Sequence, residues 1–396
     1  MKSTEFDPVD PQFVADPFAR YRSLRDADSA AWSSRLDGWM ITRYRDVHSV
    51  LNDHRLFSAD DRNAKSPRWR RAAVPARTLI NSDPPSHTLL RRVAANAFAS
   101  LPTAEQEDEI RGIARNLIEQ RRDSGEFDII AELAAPLPLA VVGDVLGFAP
   151  KHLPQLRKWL ELEIVSVTPG AQTERTAILD ANSRALHEFV SSSIRDSAGG
   201  TSASEKLGRL RTAFVAAGLD AAELVSFVAL LMRAATATGP HLIGNSALAL
   251  LQNPEARDAL ARQPDVWPSA MEELIRYAGP VQSVFRIVMD PCRLHGVNLS
   301  RGDRVLAVIA SANRDERQFR DPDRLDPVRR PSGQLGFGGG IHRCLGADLG
   351  KREARVALQT LFESLPGATL AVLPDELDYS WSWNVRGLAH LPVRTG

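Results

Sequence analysis

The chain has 396 residues, 43% of them hydrophobic and 25% charged, and its 49 basic side chains are balanced by 49 acidic ones. This balance gives no bias toward nucleic acid or an anionic membrane surface, so we expect neither as a partner. The polar, proline-rich beginning has no apolar signal region, and we expect no later apolar run to reach the length of a membrane span. The two cysteines are too few for a disulfide framework, which indicates a reducing cytoplasm.

Strand-like and helical segments alternate in the first part of the chain. The part near 30–44 is strand-like, and its Asp37-Gly38 pair predicts a hairpin turn. Prolines mark a long loop between Asp60 and Asp83. Helical periodicity then dominates residues 86–278.

The remainder of the chain consists of short strand-like segments around one helix. Strand patterns cover residues 281–310 and 366–396, and a helix is predicted over about 344–365. No repeat and no low-complexity linker divides the chain. We therefore expect a single domain over residues 1–396 that is mainly α with a minor β portion.

The stretch FGGGIHRCLG, residues 337–346, places Cys344 between a glycine-rich loop and the start of the predicted helix. The glycines let the backbone turn tightly beside something flat or bulky. A helix N-terminus lowers the pKa of a thiol, and a thiolate among N–H donors suits a soft metal. When Cys344 is considered without the rest of the sequence, the alternative is a buried structural cysteine. Structural zinc is disfavoured because His342 and Cys344 supply only two of the four ligands that such a site needs. A phosphate-binding loop is excluded because the Gly-Lys-Ser/Thr ending of that motif is missing.

This stretch resembles the haem-binding signature of the cytochrome P-450 superfamily, Phe-Gly-x-Gly-x-(His/Arg)-x-Cys-x-Gly. The residues that match its defining positions are Phe337, Gly338, Gly340, His342, Cys344 and Gly346. The resemblance implies that Cys344 is the thiolate ligand of the haem iron, where electron donation favours O–O cleavage. It also implies that Phe337 and Gly338 belong to the haem-binding loop and that His342 meets a haem propionate.

Other segments resemble the same family in a consistent order from about Asp16 to Val393. DPPSHTLLRRVAANAF resembles the haem-contacting helix, and its His87 and Arg91 are four residues apart on one face. VFRIVMD places Arg286 in the strand that usually carries another propionate arginine. The resemblance implies that these side chains balance the two haem carboxylates.

A charged pair precedes the cysteine loop in the segment MEELIRYAGPV. Glu273 and Arg276 are three residues apart on one predicted helix face, and a solvated surface pair is the simplest interpretation. In the family, such a pair is buried and locks the haem loop together with a further arginine, for which DPDRLDP offers Arg324. The resemblance therefore assigns these three residues a structural role, because breaking one member of a buried charge group is costly.

The apolar segment LVSFVALLMRAATATGPHLIGN aligns with the family's oxygen-activating helix but departs from its Ala-Gly-x-(Asp/Glu)-Thr-Thr pattern. Thr238 matches the catalytic alcohol that hydrogen-bonds dioxygen, whereas Ala237 replaces the acid that supports proton delivery. Three alternatives for the missing acid are ordered water with Thr238, a polar group of the substrate, and a chemistry other than plain hydroxylation. Pro240 has no backbone N–H to donate a helical hydrogen bond, and its ring would clash with the Thr236 carbonyl, so we expect a kink in the helix there.

Two parts of the sequence predict where a substrate binds. The loop after Asp61 carries six cations before the next acid: Arg62, Lys65, Arg68, Arg70, Arg71 and Arg77. They suit a carboxylate-bearing substrate such as an amino acid, a peptide or a carrier-bound acyl group, and a solvated loop or partner-docking surface is the alternative. The predicted substrate contacts are Arg62 of this loop, Arg233 and Ala234 of the apolar helix, and Trp383 near the chain end.

The resemblance implies the cytochrome P-450 fold, a triangular helical prism around a buried haem. It implies a soluble bacterial-type haem-thiolate monooxygenase that hydroxylates a small organic substrate or performs a tailoring step in natural-product biosynthesis. Its cofactors are then haem b, which is iron protoporphyrin IX, and dioxygen. Electrons come from NAD(P)H through a ferredoxin or flavodoxin and its reductase, and we expect a cytoplasmic monomer.

Three other functional classes stay open at this stage, one of them a metal-free structural protein. The missing acid at Ala237 suggests an atypical oxidation such as aryl or peptide cross-linking or nitration. A haem-binding carrier or sensor without turnover is the second alternative. The presence of Thr238 and of the set of propionate partners favours an enzyme.

Overall fold

The computed structural model describes residues 6–8, 10, 13–14, 16–66, 78–99, 103–121, 125–165, 174–196, 202–381 and 384–395. The α-helices in these ranges are α1 (Pro17–Asp26), α2 (Tyr44–Asn52), α3 (Ser86–Ala99), α4 (Thr103–Glu119), α5 (Pro136–Leu146), α6 (Leu153–Val165), α7 (Glu174–Asp196), α8 (Ser202–Ala216), α9 (Ala221–Leu251), α10 (Pro254–Arg262), α11 (Trp267–Ala278), α12 (Ile309–Ala312) and α13 (Ala347–Ser364). A π-helical turn, Ile129–Ala134, precedes α5.

The strands in the described ranges are short. They are β1 (Ala31–Ser33), β2 (Gly38–Ile41), β3 (Phe57–Ser58), β4 (Glu126–Asp128), β5 (Val284–Val288), β6 (Cys292–Leu294), β7 (Val297–Leu299), β8 (Arg304–Ala307), β9 (Thr369–Leu370), β10 (Tyr379–Trp381), β11 (Arg386–Leu388) and β12 (Pro392–Arg394). Five of them form one sheet in the order β1-β2-β8-β5-β3, and the others form the sheets β4-β12-β9, β10-β11 and β6-β7. Within the five-stranded sheet, β2 and β8 run parallel, while the other neighbours are antiparallel.

The predicted hairpin is confirmed by the pairing of β1 with β2, in which Ser33 lies opposite Gly38. Asp37 adopts a φ of 47°, the left-handed conformation that Asp tolerates in tight turns. The predicted helix at 344–365 begins at Ala347, so Cys344 lies in the loop before it. Part of the predicted loop between Asp60 and Asp83, residues 67–77, lies outside the described residues.

Helix α9 is the longest helix in the described ranges and packs against α5, α7, α11 and α13. Its N-terminus is closed by a capping box: Glu223 N–H donates to Asp220 Oδ1 at 2.8 Å, and Asp220 N–H donates to Glu223 Oε2 at 3.0 Å. Its C-terminal half is almost entirely buried. Helical backbone runs through Pro240 to Leu251, so the helix is not broken there, and the kink expected at Pro240 stays a prediction.

The segments Ile129–Leu146 and Ala221–Leu251 are long and apolar enough to cross a membrane by length and composition. The expectation that no segment would meet this criterion was therefore wrong. Both segments contribute buried side chains to the cores described below, as the central helices of many folded domains do. Apolar length alone therefore does not distinguish these core helices from membrane spans.

Apolar clusters join α9 to the elements that carry the candidate site. One cluster contains Leu250 of α9, Leu274 of α11 and Leu358 of α13. A second contains Phe227 of α9 together with residues of α5 to α8, and Leu345 packs against it directly after Cys344. The cysteine loop and α9 are thus fixed to the same core.

Candidate active site

The cysteine loop turns on glycines and is closed by its own backbone. Cys344 N–H donates to the Phe337 carbonyl at 2.9 Å, and Gly338 N–H donates to the Leu335 carbonyl at 2.7 Å. Gly340 has a φ of 61°, and a Cβ there would lie 2.4 Å from the backbone oxygen of Leu51. A side chain at this position would therefore be both strained and blocked, which explains the glycine.

Cys344 is accessible at the end of this loop. Although part of the residue reaches the surface, protein atoms surround the thiol, and this desolvation raises its pKa, while a hydrogen bond from the Gly346 backbone and the charges of Arg91 and Arg343 lower it. The sequence-based expectation of a lowered pKa is therefore wrong, because desolvation outweighs the N–H donor and the two cations. A thiolate at Cys344 needs a further positive partner, and a bound metal ion is the usual one.

Four predicted haem contacts converge beside this loop. The imidazole rings of His87 and His342 are 4.3 Å apart between centroids. Arg286 and Arg91 lie close enough to lower the pKa of His342, which burial and these charges bring to about 3. Burial likewise lowers the pKa of Arg286, to about 10. The structure thus brings together side chains from α3, β5 and the cysteine loop that are far apart in sequence.

This cluster has the polar chemistry that a dicarboxylate ligand would satisfy. The Nε2 atoms of His87 and His342 are buried and have no hydrogen-bond partner among the described residues. A buried polar atom without a partner is costly, and the two arginines beside them carry charge that burial destabilises. Two ligand carboxylates would supply both the missing hydrogen-bond acceptors and the missing negative charge. The residues present therefore fit a haem with two propionates.

Asp83 and His54 also belong to this cluster, and sequence reasoning missed both. Asp83 opposes the lowering of the pKa of Arg286 and His87, and His54 adds to the lowering at His342. Asp83 is held by the Ser58 hydroxyl and by the Ala59 N–H at 3.1 Å. Its position four residues before His87 was a signal that could have identified it.

A buried ion cluster is linked by hydrogen bonds to the backbone just before the cysteine loop. Arg276 and Glu273 are completely buried and form two hydrogen bonds, of 2.7 and 2.8 Å. Arg276 Nη1 also donates to the Asn313 carbonyl at 2.8 Å, and Asn313 Oδ1 accepts the Leu335 N–H at 2.8 Å. This series of contacts runs from Glu273 to the first residues of the cysteine loop.

The predicted third member of this cluster, Arg324, is wrong. Arg329 Nε binds Glu273 Oε1 at 3.0 Å, whereas the exposed Arg324 contributes only its backbone carbonyl, to Arg276 at 3.4 Å and to Arg329 at 3.3 Å. The segment between them turns back, so that the later arginine reaches the carboxylate. Both arginines follow Glu273 in the same irregular segment, and the sequence alone did not distinguish them.

Thr238 lies in the middle of α9 and is half-buried. Its hydroxyl donates to the Ala234 carbonyl at 3.0 Å, one turn earlier. Pro240 deprives the Thr236 carbonyl of its usual helical donor at this point of the helix. The neighbouring Gly239 fits closely, since a Cβ there would lie 2.9 Å from the ring of Pro138 in α5.

The predicted substrate contacts that the structure describes lie on two separate elements, the loop after Asp61 and α9. Ala234 is exposed and Arg233 is half-buried on α9. Arg62 is paired with Asp60, whose carboxylate accepts Arg62 Nε at 2.8 Å. Lys65 of the same loop binds Asp303 at 2.9 Å. Trp383 and the other four cations of the loop, Arg68, Arg70, Arg71 and Arg77, lie outside the described residues.

The comparisons with known proteins decide the family. A family model described as cytochrome P-450 matches residues 266–366. Cytochrome P-450 107B1 of Saccharopolyspora erythraea is 33% identical, over 98% of this chain and 97% of its own length. The chain belongs to the cytochrome P-450 family. The cytochrome P-450 monooxygenase PikC of Streptomyces venezuelae is also 33% identical, over 96% of this chain and 92% of its own length.

The fold comparison agrees with this assignment. The crystal structure of CalO2 superposes with a TM-score of 0.89 at 29% identity, covering 99% of this chain and all of that one. This cytochrome P-450 is therefore a monooxygenase-type oxidoreductase of the bacterial kind, for which haem, dioxygen and electron transfer are implied by the family. The expected fold class and family are confirmed.

Glu353 of α13 is a buried carboxyl group that sequence reasoning also missed. It is 6% exposed, and burial raises its pKa to about 8. Its Oε1 atom has no hydrogen-bond partner among the described residues. In the sequence, Glu353 stands among charged residues and therefore resembles part of a solvated helix face. It lies one turn before the buried Ala357, however, and this spacing could have revealed its burial.

The first prediction concerns the buried ion cluster. Replacing Arg329 by Met removes one of the two cations on Glu273, and we expect a loss of about 1.5–3 kcal/mol in the free energy of unfolding. Arg324→Met is the matched control, and its exposed side chain predicts a change within about 0.5 kcal/mol. Urea unfolding of both variants measures this, and an equal loss in the two would contradict the assignment of Arg329.

The second prediction concerns pH. The folded pKa of Glu353, about 8, lies above its usual value of 4.5, so the folded protein binds more protons between these pH values than the unfolded chain. This contribution to stability is complete below about pH 4.5 and is lost as the pH rises through 8, with a size on the order of a few kcal/mol.

Unfolding free energies of the wild type and Glu353→Gln, measured from pH 5 to 9, check this prediction. The difference between them should change with pH. Glu363→Gln alters a carboxyl group on the same helix whose side chain is 60% exposed, and it should keep the wild-type profile. Parallel profiles for the wild type and Glu353→Gln would contradict the raised pKa.

Proposed function

We propose that this cytochrome P-450 is a haem-thiolate monooxygenase that hydroxylates a small organic substrate, as a tailoring step in natural-product biosynthesis. The observation that carries the proposal is the accessible Cys344 beside two histidines, whose buried Nε2 atoms have no hydrogen-bond partner in the described part of the chain, and two desolvated arginines. When bound, a haem b held by Cys344 would supply the activation of dioxygen. A single domain over residues 1–396, acting as a cytoplasmic monomer, is part of the same proposal.

The proposed roles of the binding residues follow from their placement. Cys344 would hold the iron as its axial ligand, with Phe337 and Gly338 shaping the loop around it. The propionates would be bound by His87, Arg91, Arg286 and His342. Glu273, Arg276 and Arg329 would hold the loop in place without touching the cofactor, as their contacts with Asn313 and the backbone support.

The substrate class is supported by the names of the relatives. The vitamin D(3) 25-hydroxylase of Pseudonocardia autotrophica is 35% identical, and the 6-deoxyerythronolide B hydroxylase of Saccharopolyspora erythraea is 30% identical. A carboxylate-bearing substrate has less support, because Arg62 and Lys65 already have acid partners. We infer that electrons come from NAD(P)H through a ferredoxin or flavodoxin and its reductase. One structural neighbour, P-450BioI, was solved with an acyl-ligated acyl carrier protein, which keeps a carrier-bound acyl substrate in the proposal.

An atypical oxidation is the second candidate, because Ala237 stands where the family has an acid. The nocardicin C N-oxygenase of Nocardia uniformis, 33% identical over 98% of this chain, is a relative named for oxygenation at nitrogen. Hydroxylation incorporates one atom of dioxygen into the product, whereas cross-linking incorporates none. Mass spectrometry of products formed under labelled dioxygen therefore distinguishes cross-linking from hydroxylation, and the position of the label, on nitrogen or on carbon, distinguishes N-oxygenation from hydroxylation.

The third prediction tests the axial ligand. The reduced, carbon monoxide-bound protein should show the absorption of a thiolate-ligated haem, and Cys344→Ala should abolish it because the sulfur ligand is gone. Cys292→Ala, at the half-buried second cysteine, is the control that should keep it. A protein without haem, or a spectrum that Cys344→Ala leaves unchanged, would exclude both the enzyme and the haem carrier. Reduced nicotinamide with reductase and ferredoxin then separates an enzyme, which consumes oxygen, from a carrier or sensor.

The fourth prediction concerns Thr238. Thr238→Ala should raise the share of oxygen released as hydrogen peroxide, because the hydroxyl that holds and passes on protons is lost. Thr236→Ala is the matched control, since its hydroxyl makes a similar bond to the Met232 carbonyl at 2.9 Å and points elsewhere around the helix. Turnover and peroxide release that remain unchanged in Thr238→Ala would remove this residue from the mechanism.

A further inference from the structure

A cavity beside the C-terminal half of α9 has no part in the proposed function. Its volume is about 520 Å³, within the range of small-molecule sites. Its walls come from α1, α9, the end of α11 and the strands β10 and β11, and none of its lining residues is a predicted haem or substrate contact. Asn245 in its wall follows Thr238 by seven residues, which is about 10 Å along the helix. A molecule in this cavity therefore lies apart from the proposed site of oxidation.

One wall of the cavity is fixed by the buried side chain of Asn245. Its Nδ2 atom donates to the Ala278 carbonyl at 3.2 Å and to the Arg386 carbonyl at 3.0 Å. These two bonds join α9 to the end of α11 and to β11. Leu248 and Ala249, one turn further along α9, add buried apolar surface to the same wall. The cavity is thus built without a ligand, which lowers the entropic cost of binding one.

Other walls of the cavity consist of guanidinium groups stacked on aromatic rings. The Cζ atom of Arg386 lies 3.7 Å from the ring centroid of Tyr379. The Cζ atom of Arg314 lies 3.8 Å from the ring centroid of Tyr277 and 4.3 Å from that of Phe18. Stacking of this kind uses the flat face of a guanidinium, whereas its N–H donors lie in its plane. Rings and flat cations together suit a ligand with an aromatic body.

Positive charges outnumber negative ones among the described residues that line the cavity. Asp323 is a single carboxylate that pairs with both Arg22 and Arg314, with 2.9 Å between its Oδ1 atom and Arg314 Nη1. Asp16, the other acid, accepts the Phe18 N–H at 3.0 Å as the cap of α1. With Arg386, three guanidinium groups thus face two carboxylates. One negative charge on a ligand would balance them.

We propose that this cavity is a second binding site, for a small aromatic molecule that carries one carboxylate. The rings of Phe18 and Tyr379 contact the aromatic body of the ligand. Arg22 and Arg386, which are both partly exposed, bind its carboxylate at the open side. The site binds without a chemical step, and the inference does not depend on the proposed monooxygenase function.

The test titrates the haem-loaded protein with 3-phenylpropionate and follows binding by calorimetry. The neutral 3-phenylpropionamide and the non-aromatic 3-cyclohexylpropionate are the matched probes. The aromatic acid should bind about tenfold more tightly than the amide, because it forms charge-assisted hydrogen bonds. It should bind about threefold more tightly than the cyclohexyl acid, because only the aromatic ring stacks. The haem absorption spectrum should stay unchanged throughout the titration.

Three variants locate the bound acid. Ala19→Trp places a large side chain at an exposed position of the cavity rim and should prevent binding because it fills the opening. Ala216→Trp, at an exposed alanine of α8 outside the cavity lining, is the matched control and should bind as the wild type does. Gln252→Glu adds a negative charge to the exposed rim, so it should weaken the acid about threefold and leave the amide unchanged.

The outcomes decide the proposal. Tight binding of the aromatic acid that Ala19→Trp prevents and Gln252→Glu weakens supports it. An absence of binding at millimolar concentrations overturns it, and so does equal binding of the acid and the amide. Wild-type affinity in Ala19→Trp together with a shift of the haem spectrum would place the acid beside the haem and also overturn it.

Discussion

The interaction on which the rest of the site depends is the buried contact of Glu273 with two arginines. A buried carboxylate is tolerated only when it is paired and hydrogen-bonded, and here Arg276 and Arg329 do both. Arg276 extends the contact to Asn313, whose side chain holds the backbone of Leu335. The position of Cys344 thus follows from a charge pair that does not touch it.

In the cluster of predicted haem contacts the charge balance is the opposite, because basic side chains outnumber acidic ones. The basic side chains are Arg91, Arg286, His87 and His342. The carboxylate of Asp83 opposes the lowering of the pKa of His87 and Arg286. Within the ranges that the structure describes, the buried Nε2 atoms of His87 and His342 have no acceptor there. Such an arrangement is expensive for a protein by itself and is stabilised by an anionic ligand. The two carboxylates of a haem have the charge and the acceptors that this cluster lacks.

The two buried glutamates, Glu273 and Glu353, have different electrostatic surroundings. Glu273 forms ion pairs with the guanidinium groups of Arg276 and Arg329, and these contacts are structural. Glu353 has no such partner in the described part of the chain, and desolvation raises its pKa. Periodicity does not separate the two cases, because both residues lie among charged neighbours in helices. The difference arises from what the tertiary structure packs against each one.

Local patterns in the sequence were sufficient to predict much of this protein. Three such patterns are the glycine spacing before Cys344, the four-residue separation of His87 and Arg91, and the Asp37-Gly38 hairpin. Each depends on backbone geometry within a few residues, which the sequence contains directly. Tertiary structure alone decided that Arg329 and not Arg324 reaches Glu273, that desolvation raises the pKa of Cys344, and that Glu353 lies beside Gly239. These outcomes depend on which distant segments exclude water from a given side chain, and burial of that kind is a property of the packed fold.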